Sequence, residues 1–227
     1  MQQKTISWNL NQTDTKEMMG VGMSDLANLF NKYDCDKSKK HKYHEVYEPH
    51  FLPVRDKKIN ILEIGTFKGA STQAFHDYFP NAQIYTIDFF QRTKPENLPI
   101  LNEERVHWLK ADTTESTLPR KMRNEWGDIE FDFIIDDGAH WPMANLLTLK
   151  NCMPSLVEGG VYFIEDVWPM ERMSFDQLNH PWLTGKPDRY NQLDNNQLLS
   201  EMDKYSIKRH DLRKKTKHPD SYIIALS

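Results

Sequence analysis

Three carboxylates and one histidine stand out as residues able to do chemistry together. Asp136-Asp137-Gly138-Ala139-His140 follows an apolar run and precedes Pro142. Asp137 and His140 are close enough in sequence to face one site, and Glu165-Asp166 ends the next apolar run. Carboxylates converging from neighbouring strand ends repel one another unless a proton or cation joins them. A hard divalent ion such as Mg²⁺, which takes oxygen ligands, would resolve that repulsion. His140 could then act as a general base, because imidazole titrates near working pH. Two plainer readings stay open here: His140 as a capped or partly buried histidine, and the carboxylates as acceptors of cofactor hydrogen bonds only.

A second group surrounds Glu63-Ile64-Gly65-Thr66-Phe67-Lys68-Gly69. Gly65 and Gly69 let the backbone turn tightly and come close to a ligand, and the helix that follows offers free N–H groups. The spacing is E-x-G-x-x-x-G, which is neither the dinucleotide fingerprint nor the phosphate loop with its Gly-Lys-Ser/Thr. Asp88 ends the next strand, where an acidic residue accepts hydrogen bonds from a ribose diol. Asp112 follows the third strand. Each of these acids could also be a helix cap or a polar strand end. Their concentration on one sheet edge argues for a shared crevice, since ligands of open α/β sheets bind outside the carboxyl ends of the strands.

The elements that must position these residues read as follows. Ser24 and Asp25 cap a helix over Leu26–Tyr33, Asp34–Lys42 is a charged loop, and His44–Phe51 is helical. Ile59–Gly65, Gln83–Asp88, Val106–Leu109, Phe131–Asp137 and Gly160–Asp166 are short apolar runs read as strands. Ala70–Tyr78, Leu118–Trp126 and Pro142–Leu156 read as helices between them, the last with Pro in its first turn. Strands alternating with helices predict a parallel sheet with right-handed crossovers. The tail differs. Val167–Tyr190 is irregular and rich in Trp, Pro and Met; Trp168, Phe175 and Trp182 could form an acceptor lid or ordinary packing. Asn195–Tyr205 reads as helical. Ser206–His210 and Ser221–Leu226 are joined by a loop too short for a crossover helix, so they pair antiparallel. The predicted fold is α/β: a doubly wound sheet of about seven strands, mainly parallel, closed by a C-terminal antiparallel hairpin.

Composition narrows the function class. The 227 residues are 38% hydrophobic and 27% charged, enough apolar content to fill a core. Lys and Arg number 29 against 33 Asp and Glu, a net charge of −4 that gives no electrostatic footprint for nucleic acid. The basic stretch Lys208–Lys217 reads as a solvated hairpin. No apolar run approaches the roughly 18 residues of a membrane span, and Met1–Thr15 shows no secretory pattern, so a cytoplasmic location is expected. Cys35 and Cys152 lack metal-site spacing and are expected to be free thiols.

These motifs resemble class I S-adenosylmethionine-dependent methyltransferases. More narrowly, the chain is similar to the metal-dependent sugar O-methyltransferases of macrolide biosynthesis (the mycinamicin and macrocin type) and to the cephalosporin hydroxylase family. The likeness runs from about Asp34 to Asp166. It rests on Asp36-Lys37 with His41 and Tyr43, Leu62-Glu63-Ile64-Gly65, Asp88, Ile135-Asp136-Asp137-Gly138-Ala139-His140, Gly159-Gly160-Val161-Tyr162 and Ile164-Glu165-Asp166. The D-D-G-x-H plus E-D combination is the specific part. The resemblance implies a Rossmann-like fold with an N-terminal helical arm and cofactor lid over 1–50 and the methyltransferase domain over 51–227. It implies that Glu63, Gly65 and Gly69 hold the methionine part of S-adenosyl-L-methionine, with Thr66, Ser71 and Asp136 in the same cofactor set. Asp88 would take the ribose hydroxyls and Asp112 the adenine amine. Tyr43 and the loop before it would close over the cofactor. Asp137, Glu165 and Asp166 would bind Mg²⁺, and His140, or Asp137 itself, would deprotonate a sugar or small-molecule hydroxyl. Neither nucleic acid nor membrane is an expected partner; a homo-oligomer is, with residues 1–33 as a contact arm. Two departures stand out. Glu165-Asp166 replaces the two aspartates of some relatives, and Cys35-Asp36 stands where Gly-Thr often precedes the Asp-Lys. An acceptor in another natural product or a capsule precursor, an NAD-dependent dehydrogenase, and a non-catalytic cofactor-binding protein are the rival readings.

Overall fold

The computed structural model describes residues 24–167 and 192–227. The expected aromatic lid at Trp168, Phe175 and Trp182, and most of the polar N-terminal stretch, lie outside these residues. The chain begins with three helices, α1 (Asp25–Lys32), α2 (Asp36–Lys39) and α3 (His44–Phe51). The alternating part follows: β1 (Asn60–Ile64), α4 (Ala70–Tyr78), β2 (Gln83–Asp88), β3 (Val106–Lys110), α5 (Leu118–Trp126), β4 (Phe131–Asp136), α6 (Pro142–Cys152) and β5 (Leu156–Ile164). The last described part is α7 (Gln192–Met202), β6 (Ile207–Asp211), α8 (Arg213–Thr216) and β7 (Tyr222–Leu226).

The seven strands form one sheet in the order β3-β2-β1-β4-β5-β7-β6. β1 to β5 pair in parallel, and β7 pairs antiparallel with both β5 and β6, as the short connection requires. Order reverses between β1 and β4, the switch point at which open α/β sheets bind ligands. There the strand ends are level: Ile64 lies opposite Asp136, and Asp136 opposite Ile164.

The sheet is covered on both faces. Ile61, Phe133, Ile135 and Phe163 point into one core, shared with α1, α3 and α4. Leu62, Ile64, Ile134, Tyr162 and Ile164 point into the other, with α5, α6 and α7. The helices before β1 are part of the first core: Tyr47 meets Phe163 edge-on at 4.9 Å between ring centroids, and Phe51 meets Phe133 at 4.8 Å.

Two local readings change. The charged loop expected over Asp34–Lys42 contains α2, and Lys37, Ser38 and His41 are buried. The Lys37 charge is matched by Asp137 and Glu165 from distant strand ends, which removes the usual reason for a Lys to stay in water. The helix expected to reach Leu156 stops at Cys152, because Pro154 has no N–H to continue it. β5 therefore starts at Leu156 rather than Gly160, and its register with β4 shifts between Phe131 and Phe133. At the far edge of the sheet, exposed Lys208 and Arg209 on β6 guard against edge-to-edge pairing.

Candidate active site

Strand alternation decides which acids meet. Successive side chains of a strand point to opposite faces. Glu63 shares its face with Ile61, Asp137 with Ile135, and Glu165 with Phe163, all on the first-core side. Asp136 shares its face with Ile134, on the second-core side. Neighbours in sequence, Asp136 and Asp137, thus enter different surroundings.

Asp136 is buried. It accepts hydrogen bonds from Asn145 Nδ2, Tyr162 OH and the Gly138 N–H, each at 3.3 Å. Burial pushes its carboxyl up to about 6, against those donors. It anchors the end of β4 to α6 and β5.

On the other face, Glu63 is fully buried beneath α4. Ser71 Oγ donates to one of its oxygens and Thr72 Oγ1 to the other, at 2.5 Å for Thr72. Thr66 and Thr86 share a hydroxyl hydrogen bond of 2.5 Å alongside. Burial raises Glu63 from 4.5 to about 7, although Lys37 and the two hydroxyls favour its charged form. The folded chain therefore holds this proton more tightly than the unfolded one. Glu63 favours the fold below pH 4.5, and that contribution is lost as the pH rises through 7. Glu63→Gln copies the neutral form. At pH 8 it should be more stable than the parent by about 3 kcal/mol, with the difference closing near pH 4.5. Thermal melts between pH 5 and 8 check this; a variant less stable at pH 8 would contradict it. A buried acid with so raised a pKa at the carboxyl edge makes Glu63 a candidate functional position.

The glycine turn is set by its backbone. Gly65 has φ +97°, and its N–H donates to Ile87 O at 2.8 Å. Gly69, with φ +75°, is the N-cap of α4. Asp88 ties the first two turns together by accepting from the Phe67 N–H at 2.9 Å and the Phe90 N–H at 2.6 Å. Asp112 closes a small turn of its own, accepting from the Thr114 N–H at 2.8 Å and its hydroxyl at 2.6 Å. Both acids sit at the carboxyl edge of the sheet.

The acidic centre lies between β4 and β5. Asp137, His140 and Asp166 offer donor atoms within 4.8 Å of one another. His140 Nε2 is 3.7 Å from Asp137 Oδ1, and His140 Nδ1 is buried with no hydrogen-bond partner. His140 has φ +63° and Asp166 φ +51°. Left-handed backbone at two non-glycine residues in one small cluster is strain of the kind found at functional sites. Two carboxylates and an imidazole with an unused nitrogen suit a divalent ion.

Glu165 is the third carboxylate of the expected metal set. It turns toward the first core, where Lys37 Nζ donates to its Oε2 at 2.5 Å and Tyr47 OH donates to its Oε1. Lys37 also donates to Asp137 Oδ2 at 2.5 Å. Burial pulls the Lys37 ammonium down, but Asp137 and Glu165 outweigh it and hold its pKa well above the usual value. Tyr43 lies beside this centre. It is fully buried, donates to Asp166 Oδ1 at 2.6 Å and to Asp220 O at 3.1 Å, and accepts from the Asp166 N–H at 3.2 Å. Stacked on it at 5.0 Å is His41, whose Nδ1 lies 2.9 Å from Ser221 Oγ. His41, Asp166 and Asp220 make a second close donor group.

Lys37, Tyr47, His41 and Asp220 were not assigned roles from the sequence. Lys37 and His41 lie within the matched Asp36–Tyr43 segment, so their presence was visible; their partners, a hundred or more residues away, were not.

Residues 62–167 match a family described as a methyltransferase domain. The chain is 30% identical over 152 residues to the 8-demethyl-8-(2-methoxy-alpha-L-rhamnosyl)-tetracenomycin-C 3'-O-methyltransferase of Streptomyces olivaceus, covering 63% of this chain and 37% of that protein. It is 27% identical over 157 residues to the mycinamicin VI 2''-O-methyltransferase of Micromonospora griseorubida, covering 66% and 37%. The chain thus spans well under half the length of these curated relatives. Among solved structures it is similar to the MycE methyltransferase in complex with Mg and SAH, with a TM-score of 0.64 and 22% identity over 92% of this chain and 55% of that one. The complex of MycE with Mg, SAH and mycinamycin VI gives a TM-score of 0.62 at 23% identity, over 90% and 54%. At these identities the likeness establishes the fold.

Proposed function

We propose that this chain, which carries a methyltransferase domain over residues 62–167, moves the methyl group of S-adenosylmethionine onto a hydroxyl of a sugar or glycosylated small molecule with the help of a divalent ion. The observation that carries the reading is the meeting of Asp137, His140 and Asp166 at the switch-point edge, beside the Gly65–Gly69 turn. The named activities of the similar sugar O-methyltransferases support the acceptor class.

The chain's own residues divide the work. The Gly65–Gly69 turn, with Glu63, Thr66 and Ser71, would hold the methionine end of the cofactor, its glycines allowing close backbone approach. Asp88 is fixed by two backbone N–H groups at the end of β2, in position for the ribose hydroxyls. Asp112 would take the adenine amine. Asp136 supports the site by fixing the end of β4, and Tyr43 supports it by holding Asp166. Asp137, Glu165 and Asp166 would hold Mg²⁺, with His140 beside them. When bound, such an ion orients the acceptor oxygens and lowers the pKa of the one to be methylated. His140 Nε2 accepts the acceptor's proton, and Asp137, 3.7 Å away, stabilises the imidazolium formed. The rest of the rate comes from alignment of oxygen, methyl carbon and sulfur.

No helix among the described residues is long and apolar enough to cross a membrane. We infer a cytoplasmic enzyme acting on a small acceptor and assembled as a homo-oligomer. Calorimetric titration with S-adenosylhomocysteine in the presence of Mg²⁺ tests the reading. Dissociation in the micromolar range, about −8 kcal/mol, is expected. No binding at millimolar ligand would overturn it.

A further inference from the structure

We propose that lysines of the loop between β6 and β7 hold a diphosphate carried by the sugar to be methylated, so that the acceptor is a soluble sugar diphosphate of the nucleoside diphosphate sugar kind. This rests on the methyl-transfer reading above and names its acceptor. Sheet order places the loop. Along the carboxyl edge, the cofactor's proposed contacts occupy β1, β2 and β3, the acidic centre lies at β4 and β5, and β7 and β6 follow on the far side. With the first three strands given to the cofactor, the acceptor approaches from the β5–β7 side. β7 runs antiparallel to β5 and so begins at this same edge, where the Val167 N–H, next after Asp166, donates to Tyr222 O at 3.0 Å. The loop of residues 212–221 therefore opens beside the acidic centre. His41 lies between them: its Nδ1 is 2.9 Å from Ser221 Oγ and 3.6 Å from Asp166 Oδ1, and its ring centroid is 5.8 Å from that of His218.

The loop is cationic in a chain whose net charge is −4: four of the five residues 213–217 are Lys or Arg. Two of these hold the loop in place. Arg213 donates to both Asp211 oxygens, at 2.8 and 2.6 Å, and Lys215 donates to Glu45 on α3. Asp220, the loop's own acid, has its Oδ1 3.9 Å from His41 Nδ1. The acids nearby are thus engaged, while Lys214 and Lys217 stay exposed. Lys42, just before α3, adds to the same field: burial lowers the His44 pKa, and the charges of Lys42 and Lys215 lower it further, against Glu45. Lysine ammoniums bind phosphate as point charges. A diphosphate offers linked anionic groups to Lys214 and Lys217, which lie three residues apart around one turn at α8. The large exposed apolar side chains among the described residues are Leu52, Phe67, Phe89, Trp108 and Leu193, none of them on this loop. A lipid surface finds nothing apolar to bury here, which favours a soluble diphosphate over a membrane-borne one.

Calorimetry on the full chain loaded with S-adenosylhomocysteine, in EDTA so that no ion bridges the diphosphate, tests the assignment. Uridine diphosphate glucose is the probe, and methyl glucoside is its neutral counterpart. The nucleotide sugar is expected to bind about tenfold more tightly or better. Its affinity should fall as salt is raised from about 50 to about 300 mM, because exposed charges are screened. Lys214→Gln/Lys217→Gln should weaken it by about tenfold and leave S-adenosylhomocysteine affinity within about twofold. Lys57→Gln/Lys58→Gln removes the same charge just before β1, at the opposite edge of the sheet, and should change either affinity by less than about twofold. Equal binding of the nucleotide sugar and methyl glucoside would overturn the proposal. So would equal losses in the two double variants, which is a general charge effect, or binding to phosphatidic acid vesicles without binding of the nucleotide sugar. A parent chain that fails to bind S-adenosylhomocysteine would overturn the methyl-transfer reading beneath it.

Discussion

Gly65→Ala is expected to abolish binding of S-adenosylhomocysteine and to lower the melting temperature by more than about 8 °C, corresponding to about 4 kcal/mol or more in a chain of this size. The added Cβ would lie 2.1 Å from the carbonyl oxygen of Asp137 and 2.9 Å from its carbonyl carbon. Both are backbone atoms at the end of a central strand, so no side-chain rotation relieves the clash. The φ of +97° adds strain for any residue with a Cβ. Relief must come from separating β1 from β4 where the Asp137 N–H donates to Ile64 O at 2.9 Å, and that displaces the Asp137 carboxylate with it. Gly127→Ala is the control. Gly127 also has a positive φ, +79°, but nothing lies within 4 Å of its added Cβ. That substitution should cost only the backbone strain, about 1–2 kcal/mol. A Gly65→Ala chain that melts within a few degrees of the Gly127→Ala chain would show that the close approach of the two turns is not needed.

Asp137→Asn should reduce methyl transfer to a glycosylated acceptor by about a thousandfold while leaving S-adenosylhomocysteine affinity within about threefold. The substitution keeps size and the Lys37 contact but removes one charge. Metal-ion stabilisation of developing charge amounts to several kcal/mol, and about 4 kcal/mol corresponds to three powers of ten. The cofactor's expected contacts, at Gly65, Asp88 and Asp112, involve other turns and should persist. Transfer measured with labelled S-adenosylmethionine, set beside calorimetry of the same variant, separates the two effects. Activity above a tenth of the parent's would remove Asp137 from the metal site. A parallel loss of cofactor affinity would show that the substitution disturbs the Gly65 turn instead.

The sheet was legible from the sequence because β1, β2, β4 and β5 are apolar runs punctuated by Gly or an acid, a pattern that strands buried on both faces require, whereas β3, at the edge, alternates. The hairpin was legible from the shortness of its loop. The end of α6 was not, although Pro154 carries the needed signal, because the apolar spacing runs past it. Within the site, the acids themselves were legible, and so was their common edge. Their division was not. Asp136 and Asp137, like Glu165 and Asp166, read as pairs, and the alternation that separates Asp136 from Asp137 becomes informative only once the strand's two faces are known. The turn at Asp166, with φ +51°, then breaks the alternation and returns that side chain to the open edge. Lys37 was hidden by its company. A lysine among Asp36, Lys39, Lys40 and Lys42 reads as solvated surface until distant carboxylates are brought to it.

That distance has a kinetic meaning. The hydrogen bonds of Lys37 close loops of 100 and 128 residues, that of Tyr43 to Asp166 closes 123, and that of His41 to Ser221 closes 180. Ring closure entropy grows only logarithmically with length, so these contacts cost the finished protein little more than shorter ones. Their burden falls on the route. Local helices and neighbouring strands can pair early, whereas contacts of such high sequence separation form after the intervening sheet is in register. During synthesis the α2 segment leaves the ribosome long before its acidic partners exist, and it remains an ordinary hydrated stretch until they arrive. Substitutions there should therefore quicken unfolding and leave the folding rate almost untouched, while those at the β1–β4 pairing should slow folding itself.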